Sequence, residues 1–427
     1  MLRIACEKSV PIIRTPRVRQ LEGMFDVPPA ERSARRWEAA LPLEERDWQI
    51  GLIVGPSGSG KSTLARELFP GALIDGFDWP ADESIVDAFP SAMGIREIVG
   101  LLSSVGFSSP PSWLRPFRAL SNGEQFRVTI ARALAEKPDL AVIDEFTSVV
   151  DRTVARIGSA AIARTVRRTA TDEKDRRLVA VSCHYDIIDW LNPDWVYDPA
   201  ANEFQWRSLR GREEAGTAED KRHRSRHSAA RPAIELEIAR VHRKAWQLFK
   251  PHHYLSGDLN KAARCFVAFV VERVEEVEGV KDVESEPLFN CSTAVTPSTR
   301  RCPAAFTAVI HRPDPVGGYW SEHRTVCLPD FQGVGIGNAL SEFVASLFVA
   351  TGKRYCSRTS HPAMIRHRAK SKLWMMHRGV SFGARHTGKF AAFNRSAALH
   401  RLTAGFRFIG EPSVEAARLF GIIPKQA

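Results

Sequence analysis

The sequence predicts an α/β domain followed by an α+β domain with a mixed central sheet. The length of 427 residues exceeds what one hydrophobic core usually serves, so two domains are expected. Before position 207, apolar strand-like runs alternate with helical patterns, which is typical of α/β folds. After position 232, mixed strand and helix patterns begin at the segment AIELEIARV, which favours an α+β domain.

A charged segment rich in small residues separates the two predicted domains. Residues 207–232, RSLRGREEAGTAEDKRHRSRHSAARP, have no apolar periodicity, and this composition favours a solvated linker. The predicted domains are therefore 1–206 and 233–427. The basic cluster KRHRSRH within the linker leaves contact with nucleic acid open as an alternative.

The overall composition is that of an ordinary globular protein, with 44% hydrophobic and 26% charged residues. A net charge of +11 favours an acidic partner. The seven cysteines form no CxxC pair, which disfavours a zinc site or a disulfide framework and favours reduced thiols. The chain starts without the apolar core of a signal peptide, and no apolar run has the length of a membrane helix. We expect a cytoplasmic protein with no membrane segment of its own.

The first glycine-rich turn follows the apolar run GLIV and precedes a helical pattern. Its spacing is GxxxxGK[ST], from Gly55 to Ser62. Such glycines allow successive backbone N–H groups to converge on phosphate oxygens at a helix N-terminus. Lys61 is suited to the β- and γ-phosphates of a nucleotide, and the Ser62 hydroxyl to Mg²⁺. The predicted nucleotide-binding residues of this turn are Gly55, Ser57, Gly58, Gly60, Lys61, Ser62 and Thr63.

A second apolar run, LAVIDEF, ends in two carboxylates. Asp144 is suited to Mg²⁺, and Glu145 is suited to polarising a water that attacks the nucleotide. The alternative is a buried strand that simply ends in surface acids, and the GxxxxGK[ST] turn disfavours it. The sequence therefore predicts ATP and Mg²⁺ as ligands of the first domain.

Three further segments resemble ABC-type ATPases. LSNGEQFRVTIARAL resembles their signature, which implies that Ser121 and Gly123 contact the γ-phosphate held by the opposite protomer. TSVVD resembles the D-loop and places Asp151 at a dimer interface, and VAVSCHYD resembles the switch strand and places His184 on the γ-phosphate. The resemblance covers residues 50–186 and implies a homodimer formed through the ATPase domains.

Several positions depart from the ABC pattern. Asn122 stands where the family usually has Gly, and Glu124 where it usually has Gln. The Gln that usually senses Mg²⁺ is missing, and Asp87 in SIVDAFP is the candidate metal ligand in its place. The aromatic residue that would stack on adenine is left open between Phe25 and Trp37.

The second glycine-rich turn follows the strand-like run RTVCLPDF. It has the pattern Q-x-x-G-x-G at Gln332, Gly335 and Gly337, and Asn338 is predicted to open the next helix. Converging amides and the helix dipole favour a pyrophosphate here, whereas a ligand-free strand-to-helix turn is the alternative. The predicted ligand-binding residues are Gln332, Gly333, Val334, Gly335, Ile336, Gly337 and Asn338.

This second pattern resembles GNAT acyltransferases, which implies that the turn binds acyl-coenzyme A, in particular acetyl-coenzyme A. The resemblance also implies that the next strand, KRYCSRTS, pairs poorly with the preceding one, so that the pantetheine arm lies between them. His323 and His361 are the predicted acid and base candidates, with Ser360 and His400 as further ones. Arg401 stands where many GNAT enzymes have a Tyr, which leaves open whether the domain is catalytic.

A stretch of 58 residues, 353–410, contains 13 Lys/Arg, five His and no Asp or Glu, with seven aromatic residues interspersed. Such a surface attracts phosphate backbones and offers rings for base stacking, so DNA or RNA is the predicted partner. Within it, TSHPAMIRHRAKSKLWMMHR is predicted as a polar, turn-rich loop over the substrate. HHYLSG at residues 252–257 and SHPAMIRHRA after the KRYCSRTS strand also resemble segments of phage Mom-type proteins, which implies chemistry on a base amine of DNA.

Three functions follow as hypotheses. In the first, ATP-driven dimerisation positions a nucleic acid and the GNAT-like domain modifies a base amine. In the second, the same ATPase binds nucleic acid and the GNAT-like domain is not catalytic. In the third, ATP gates the N-acetylation of a protein or a small molecule.

Overall fold

The computed structural model describes most of the chain in two compact units. The described residues are 2–169, 176–207, 234–253, 258–273, 299–315, 317–382 and 402–424. The first unit comprises Met1–Asp78 and Thr129–Arg231, and the second comprises Trp79–Val128 and Pro232–Ala427. Of the predicted linker, all but Arg207 lies outside the described residues, as do His400 and Arg401.

The described strands and helices are numbered along the chain. The strands are β1 (Leu2–Pro11), β2 (Arg32–Leu41), β3 (Ile50–Val54), β4 (Leu73–Ile74), β5 (Leu140–Ile143), β6 (Arg177–Ser182), β7 (Trp195–Asp198), β8 (Glu203–Trp206), β9 (Leu236–Val241), β10 (Arg264–Arg273), β11 (Thr299–Arg312), β12 (Tyr319–Cys327), β13 (Tyr355–Thr359), β14 (Trp374–Phe382) and β15 (Leu402–Phe408). The helices are α1 (Pro16–Phe25), α2 (Lys61–Leu68), α3 (Ile95–Ser104), α4 (Pro110–Trp113), α5 (Asn122–Glu136), α6 (Arg152–Thr169), α7 (Ile187–Leu191), α8 (Trp246–Phe249), α9 (Ile336–Val349), α10 (Pro362–Lys370) and α11 (Val414–Leu419). None of the described helices is both long and apolar enough to cross a membrane.

The first unit is built on a six-stranded sheet in the order β4-β5-β6-β3-β7-β8. All pairs are parallel except β7–β8, as the predicted α/β pattern requires. Strand β3 is buried along its whole length, which explains its unbroken apolar sequence. Gly51 is required there, because a Cβ atom would lie 2.0 Å from the Trp195 ring. Strands β1 and β2, which are connected through α1, form a separate two-stranded antiparallel sheet.

The second unit contains a mixed seven-stranded sheet in the order β14-β15-β13-β12-β11-β10-β9. Its one parallel pair is β12–β13, and the register joins only Trp320 to Tyr355 and Ser321 to Cys356. The remaining neighbours pair antiparallel. Helix α9 packs against β11 and β12 on one face, and an apolar cluster around Trp246, Phe249 and Phe306 covers part of the other.

Three details differ from the sequence expectations. The helix after the second glycine turn begins at Ile336, with Gly335 as its N-cap, rather than at Asn338. The predicted loop over residues 359–378 was wrong, because this stretch forms α10 and the start of β14. Residues 79–128 group with the C-terminal part of the chain, because they hydrogen-bond to residues 329–332 and 361.

A buried ion pair joins β12 to α10 in the second unit. The Arg368 Nη2 atom donates to Glu322 Oε2 at 2.8 Å, and the two side chains are 1% and 6% exposed. Thr325 and Ser341 donate to Glu322 Oε1 at 2.6 and 2.7 Å, and Ser357 donates to Oε2. Burial alone would raise the pKa of Glu322, but Arg368 and these hydroxyl donors hold it below its ordinary value.

We predict that Arg368→Met destabilises the protein strongly, because it leaves the buried Glu322 carboxylate without its cation. The expected loss is about 3–5 kcal/mol in the free energy of unfolding, measured with denaturant. Lys370→Met, on the exposed face of the same helix, is the control and should change little. Adding Glu322→Leu to Arg368→Met should restore part of the loss, and an equal or larger loss in the double variant would contradict the explanation.

Candidate functional site

Three loops of the first unit converge at one edge of its parallel sheet. Strands β5, β6 and β3 are neighbours and run in the same direction, so their carboxyl ends share an edge. The glycine turn 55–62 follows β3, Asp144 and Glu145 follow β5, and His184 follows β6. In open α/β sheets this edge is where ligands bind. The sheet order therefore brings together residues that are far apart in the sequence.

The glycine turn has the backbone that a phosphate cradle needs. Gly58 and Gly60 have φ values of 79° and 92°, and Gly60 is the N-cap of α2 without any side-chain cap. The first N–H groups of the helix therefore have no intrahelical partners and face out of its N-terminus. The Lys61 Nζ atom donates to the Pro56 carbonyl at 2.8 Å, so the lysine folds over its own loop. Ser62 and Thr63 are half-buried in the first turn of α2. These residues fit a nucleotide phosphate with Mg²⁺.

Trp37 lies directly against this turn. Its indole Nε1–H donates to the Ser59 carbonyl at 2.9 Å, and a Cβ atom on Gly60 would lie 2.1 Å from that nitrogen. The Arg35 guanidinium lies 5.5 Å from the ring centroid. Phe25, the other aromatic that the sequence left open, is 69% exposed on α1. Trp37 is therefore the candidate of the two that the structure brings to the phosphate-binding turn.

The two carboxylates after β5 lie in a strained loop. Glu145 has a φ of 50° and Thr147 a φ of 68°, conformations that ordinary residues rarely adopt. Asp144 Oδ1 accepts the Glu145 N–H at 2.9 Å, and Ser148 Oγ donates to Glu145 Oε2 at 2.5 Å. These bonds fix the direction of both carboxylates.

A buried serine links this loop to the one that carries His184. Ser182 Oγ donates to the Phe146 carbonyl at 3.0 Å and accepts the His184 N–H at 3.2 Å. His184 itself is half-buried. The position of the histidine is thus tied to the carboxylate loop.

Two other predicted residues have local roles in the structure. Asp151 precedes α6, and its Oδ1 atom accepts the Val154 N–H at 3.0 Å, which is an N-terminal cap. Asp87 is exposed on a 3₁₀ turn, Ile85–Ala88, in the second unit. The predicted roles of Asp151 at a dimer interface and of Asp87 at a metal remain predictions.

The signature-like segment in the second unit is a reciprocal helix cap. Ser121 Oγ accepts the Glu124 N–H at 3.3 Å, and Glu124 Oε2 accepts the Ser121 N–H at 3.0 Å. Glu and Gln both serve at the third helical position of such a capping box, which accounts for Glu124 where the family has Gln. Gly123 is buried, and Ser112 Oγ donates to Glu124 Oε1 at 2.7 Å. The Ser121 hydroxyl is therefore engaged with its own helix.

The second glycine turn has an open N-terminus and a buried glutamine. Gly333 and Gly335 have φ values of 91° and 99°, and a Cβ on Gly335 would meet no atom within 4 Å. The Gln332 side chain is bonded to backbone at both ends: Nε2 donates to the Cys327 carbonyl at 2.8 Å, and Oε1 accepts the Ser108 N–H at 2.5 Å. Of the predicted residues, Gly333, Val334, Gly335, Gly337 and Asn338 are half-buried, whereas Gln332 and Ile336 are buried.

The two predicted histidines are both neutral and both hydrogen-bonded to backbone. Burial, together with Arg324 and Arg312, lowers the pKa of His323 to about 4, and its Nε2 atom accepts the Asn260 N–H at 3.2 Å. The pKa of His361 is also lowered by burial, and its Nε2 lies 3.1 Å from the Ser108 carbonyl. That bond places the proton on Nε2, and Nδ1 is buried without a partner among the described residues.

Basic residues from three strands of the seven-stranded sheet lie near one another. Arg358 of β13 is in register with Gly405 of β15, which is in register with Arg378 of β14. Gly405 has no side chain between the two arginines. The pKa of Arg358 is lowered by partial burial and by Arg378 and Arg312, so these positive charges lie close together. Arg312, Arg358 and Arg378 form a cluster of like charges, which we call the arginine row.

Three basic side chains of the acid-free stretch pair with acids from outside it. Arg354 pairs with Asp314, His367 with Glu342 at 2.9 Å, and Arg368 with Glu322. Residues 383–401 lie outside the described residues. Among the described residues, the candidate surface for a polyanion comprises the arginine row and the exposed side chains of Lys353, Arg366, Lys370, Lys372 and Arg407.

Sequence reasoning missed Arg127 and Ser108. Arg127 is 1% exposed and donates to the carbonyls of Gly106, Pro329 and Asp330. No sequence signal joins residues so far apart. The one local hint is that Arg127 follows Glu124 by three positions, on the same face of α5.

The chain is similar to several ATP-binding proteins of ABC systems. It is 29% identical over 153 residues to the phosphate import ATP-binding protein PstB 1 of Trichormus variabilis, covering 26% of this chain and 56% of that protein. It is 32% identical over 151 residues to the glutamine transport ATP-binding protein GlnQ of Escherichia coli, covering 26% and 62%. The chain thus spans about half the length of these relatives. No family model matches it.

Among solved structures, a dimeric ATP-binding cassette bound to ADP and Pi is similar to this chain. The identity is 16%, the match covers 38% of this chain and 86% of the other, and the TM-score is 0.29. The curated relatives and the loops at the sheet edge together indicate an ABC-type ATP-binding domain in the front part of the chain.

We predict that the free energy of unfolding falls as the pH drops from about 6.5 to 4, partly because of His323. The pKa of His323 is about 4 in the folded chain and has the ordinary value of 6.5 in the unfolded chain. As the pH falls between these values, the unfolded state binds a proton that the folded state does not, and this favours unfolding. Urea titrations at several pH values should show a smaller fall for His323→Gln, which keeps an acceptor for Asn260. His377→Gln removes an exposed histidine and should leave the fall unchanged. Equal pH dependence in His323→Gln and the unsubstituted chain would contradict the assignment.

Proposed function

We propose that this chain is an ATP-hydrolysing ABC-type ATPase whose second unit is a GNAT-like acyltransferase that modifies a base amine in a nucleic acid. The observation that carries the ATPase part is the convergence of three loops at one sheet edge. These loops hold Lys61, the Asp144–Glu145 pair and His184. Their residue types match what phosphoryl transfer to water requires.

Each residue of the ATPase site has a separate role in this proposal. The amides of the first turn of α2 and Lys61 hold the phosphates, while Ser62 and Asp144 hold Mg²⁺. Glu145 orients and polarises the attacking water, and His184 stabilises charge on the γ-phosphate. Trp37, beside Gly60, stacks on the adenine. The names of the relatives support ATP binding; their transport substrates are not carried over, because the match covers about half of each relative.

The acyltransferase part is supported by sheet order and by the second glycine turn. The mixed sheet of the second unit and the short parallel pairing of β12 with β13 agree with what the GNAT resemblance implies. Past the two registered positions, the strands leave backbone groups available to a pantetheine arm. The turn 333–338 offers helix N-terminal amides with open space in front of Gly335, which fits a pyrophosphate. A bound acyl-coenzyme A would supply an activated thioester.

The acceptor in this proposal is a nucleic acid, and the arginine row supports it. Arg312 is a charged neighbour both of His323, the candidate base, and of Arg358, whose other basic neighbour is Arg378. Guanidinium groups bind phosphate oxygens in a planar, bidentate geometry. A phosphate held by the row would bring the attached nucleotide near His323. The neutral imidazole can then take the proton of the attacking amine once its bond to the Asn260 N–H is released.

A second candidate is a nucleic-acid-binding ATPase whose GNAT-like unit is not catalytic. The observation that favours it is that His323 and His361 both use Nε2 in bonds to backbone. In this form the second unit binds its ligands and transfers no group. The two candidates share the ATPase half and differ in whether a modified base is formed.

We predict that Glu145→Gln lowers ATP hydrolysis about 10²–10⁴-fold, the usual range for loss of a general base, while ATP binding persists. Phosphate release measures the first and nucleotide binding by calorimetry the second. Lys61→Ala should weaken binding itself. Glu203→Gln, an exposed carboxylate on β8, is the control and should hydrolyse ATP normally. Full hydrolysis by Glu145→Gln would refute the proposed role of Glu145.

We predict that Gly335→Glu abolishes binding of acetyl-coenzyme A, because it places a carboxylate where the pyrophosphate would lie. Gly352→Glu is the matched control beyond the other end of α9: its φ of 76° is also left-handed, and a Cβ there also meets no atom within 4 Å. Calorimetry on the full chain should show binding for Gly352→Glu and none for Gly335→Glu. No binding by the unsubstituted chain would refute the acyl-carrier site.

The same pair of variants tests the acceptor. Nucleosides from cells that produce the unsubstituted chain or Gly352→Glu should contain an acylated base by mass spectrometry. Cells that produce Gly335→Glu should lack it. Binding of acetyl-coenzyme A without any modified nucleoside would favour the non-catalytic candidate.

A further inference from the structure

The signature-like segment and the second glycine turn are joined by buried hydrogen bonds within the second unit. The Arg127 guanidinium donates from Nη1 to the Gly106 carbonyl at 2.7 Å and to the Pro329 carbonyl, and from Nη2 to the Asp330 carbonyl at 2.8 Å. Pro329 and Asp330 lie just before the turn. One buried side chain therefore holds backbone from residues that are about 200 positions apart in the sequence.

A second set of contacts joins the same two regions through backbone. The Ser108 N–H donates to Gln332 Oε1 at 2.5 Å, and the Ser108 carbonyl lies 3.1 Å from His361 Nε2. Gly106 has a φ of 91°, and a Cβ there would lie 2.8 Å from the Gln332 carbonyl oxygen. The Gln332 carbonyl oxygen is a backbone atom, so it cannot rotate away from Gly106 as the end of a flexible side chain could. A displacement of residues 106–108 must therefore be accompanied by a displacement of residues 329–332.

The start of α5 belongs to the same assembly of bonds. Glu124 closes the capping box with Ser121, and Arg127 is one turn further along the helix. Glu124 also accepts from Ser112 in the segment that follows Ser108. The Ser121 O–H donates to Glu124 Oε2 at 3.3 Å, and it cannot donate the same proton to a γ-phosphate oxygen. Engagement of Ser121 would therefore change the first turn of α5 at Glu124, which accepts from Ser112 and lies three residues before Arg127.

We infer that Arg127 is a positioning residue that links the nucleotide-dependent state of the signature-like segment to the geometry of the glycine turn 333–338. The inference rests on the proposed function, in which an opposite protomer presents ATP to Ser121 and Gly123. Capture of the segment then favours one arrangement of the turn over another. By linkage, a ligand at the turn changes the ATP-driven association by the same factor.

Hydrogen exchange on the full-length Glu145→Gln chain tests this link, because the variant binds ATP without hydrolysing it. ATP with Mg²⁺ should slow exchange at the P-loop amides 55–63 and also at amides 333–338. A change of about fivefold at the turn is expected, the lower end of ordinary allosteric couplings. The readout needs no acyl carrier and is independent of acyltransferase activity.

Two variants in the Glu145→Gln background remove the link by different routes. Arg127→Lys keeps the charge but has no planar fork to bridge three carbonyls. Gly106→Ala introduces the Cβ that collides with the Gln332 carbonyl. Arg118→Lys is the control, since Arg118 lies in the same segment but forms an exposed pair with Asp82. Circular dichroism establishes that each variant is folded.

The expected result is ATP-dependent protection of the P-loop in all folded variants, with protection of the turn lost in Arg127→Lys and Gly106→Ala and kept in Arg118→Lys. Protection of the P-loop without any change at the turn in the Glu145→Gln chain overturns the inference and leaves the ATPase proposal intact. Unaltered protection of the turn in either folded variant overturns it too. If ATP does not protect the P-loop, nucleotide binding itself is refuted, and the inference falls with it.

Discussion

The second unit depends on one buried guanidinium. Arg127 is almost fully excluded from solvent, and its guanidinium donates to the carbonyl oxygens of Gly106, Pro329 and Asp330. A buried guanidinium is costly unless its N–H groups are hydrogen-bonded. The backbone at Gly106, Pro329 and Asp330 must therefore keep its carbonyl groups directed at Arg127. Two of these carbonyls, those of Pro329 and Asp330, belong to residues that come just before the second glycine turn. The constraint that buries Arg127 thus also fixes the entrance to the turn.

Both candidate ligand sites use the same physical device on different scaffolds. In each, a strand leads through left-handed glycines into a helix whose first amides have no intrahelical partner. They differ in what surrounds the amides: Trp37, Lys61 and two carboxylates in the first unit, and open space in front of Gly335 in the second. The first site thus surrounds its amides with side chains suited to a nucleotide and Mg²⁺, whereas the second leaves the space in front of Gly335 open.

Sequence patterns within a few residues predicted the local structure well, but they did not predict contacts between distant parts of the chain. The glycine spacing and the apolar run before it indicated the strand-turn-helix at 50–68, because these signals lie within a few residues of each other. The stretch 359–378 was misread as a loop, since its many basic residues hide that Arg368 is buried against Glu322. Likewise, His361 was selected for its chemistry, whereas its bond to Ser108 depends on a fold that brings distant segments together.

The position of Arg127 also has a consequence for biosynthesis. Its carbonyl partners at 329 and 330 emerge from the ribosome about 200 residues later, a delay of roughly 10–40 s at 5–20 residues per second. During that interval the nascent segment 79–128 cannot form its hydrogen bonds with residues 329–332 and 361. A chaperone that shields it, or slower translation after it, would therefore affect the yield of native protein more than changes near the N-terminus.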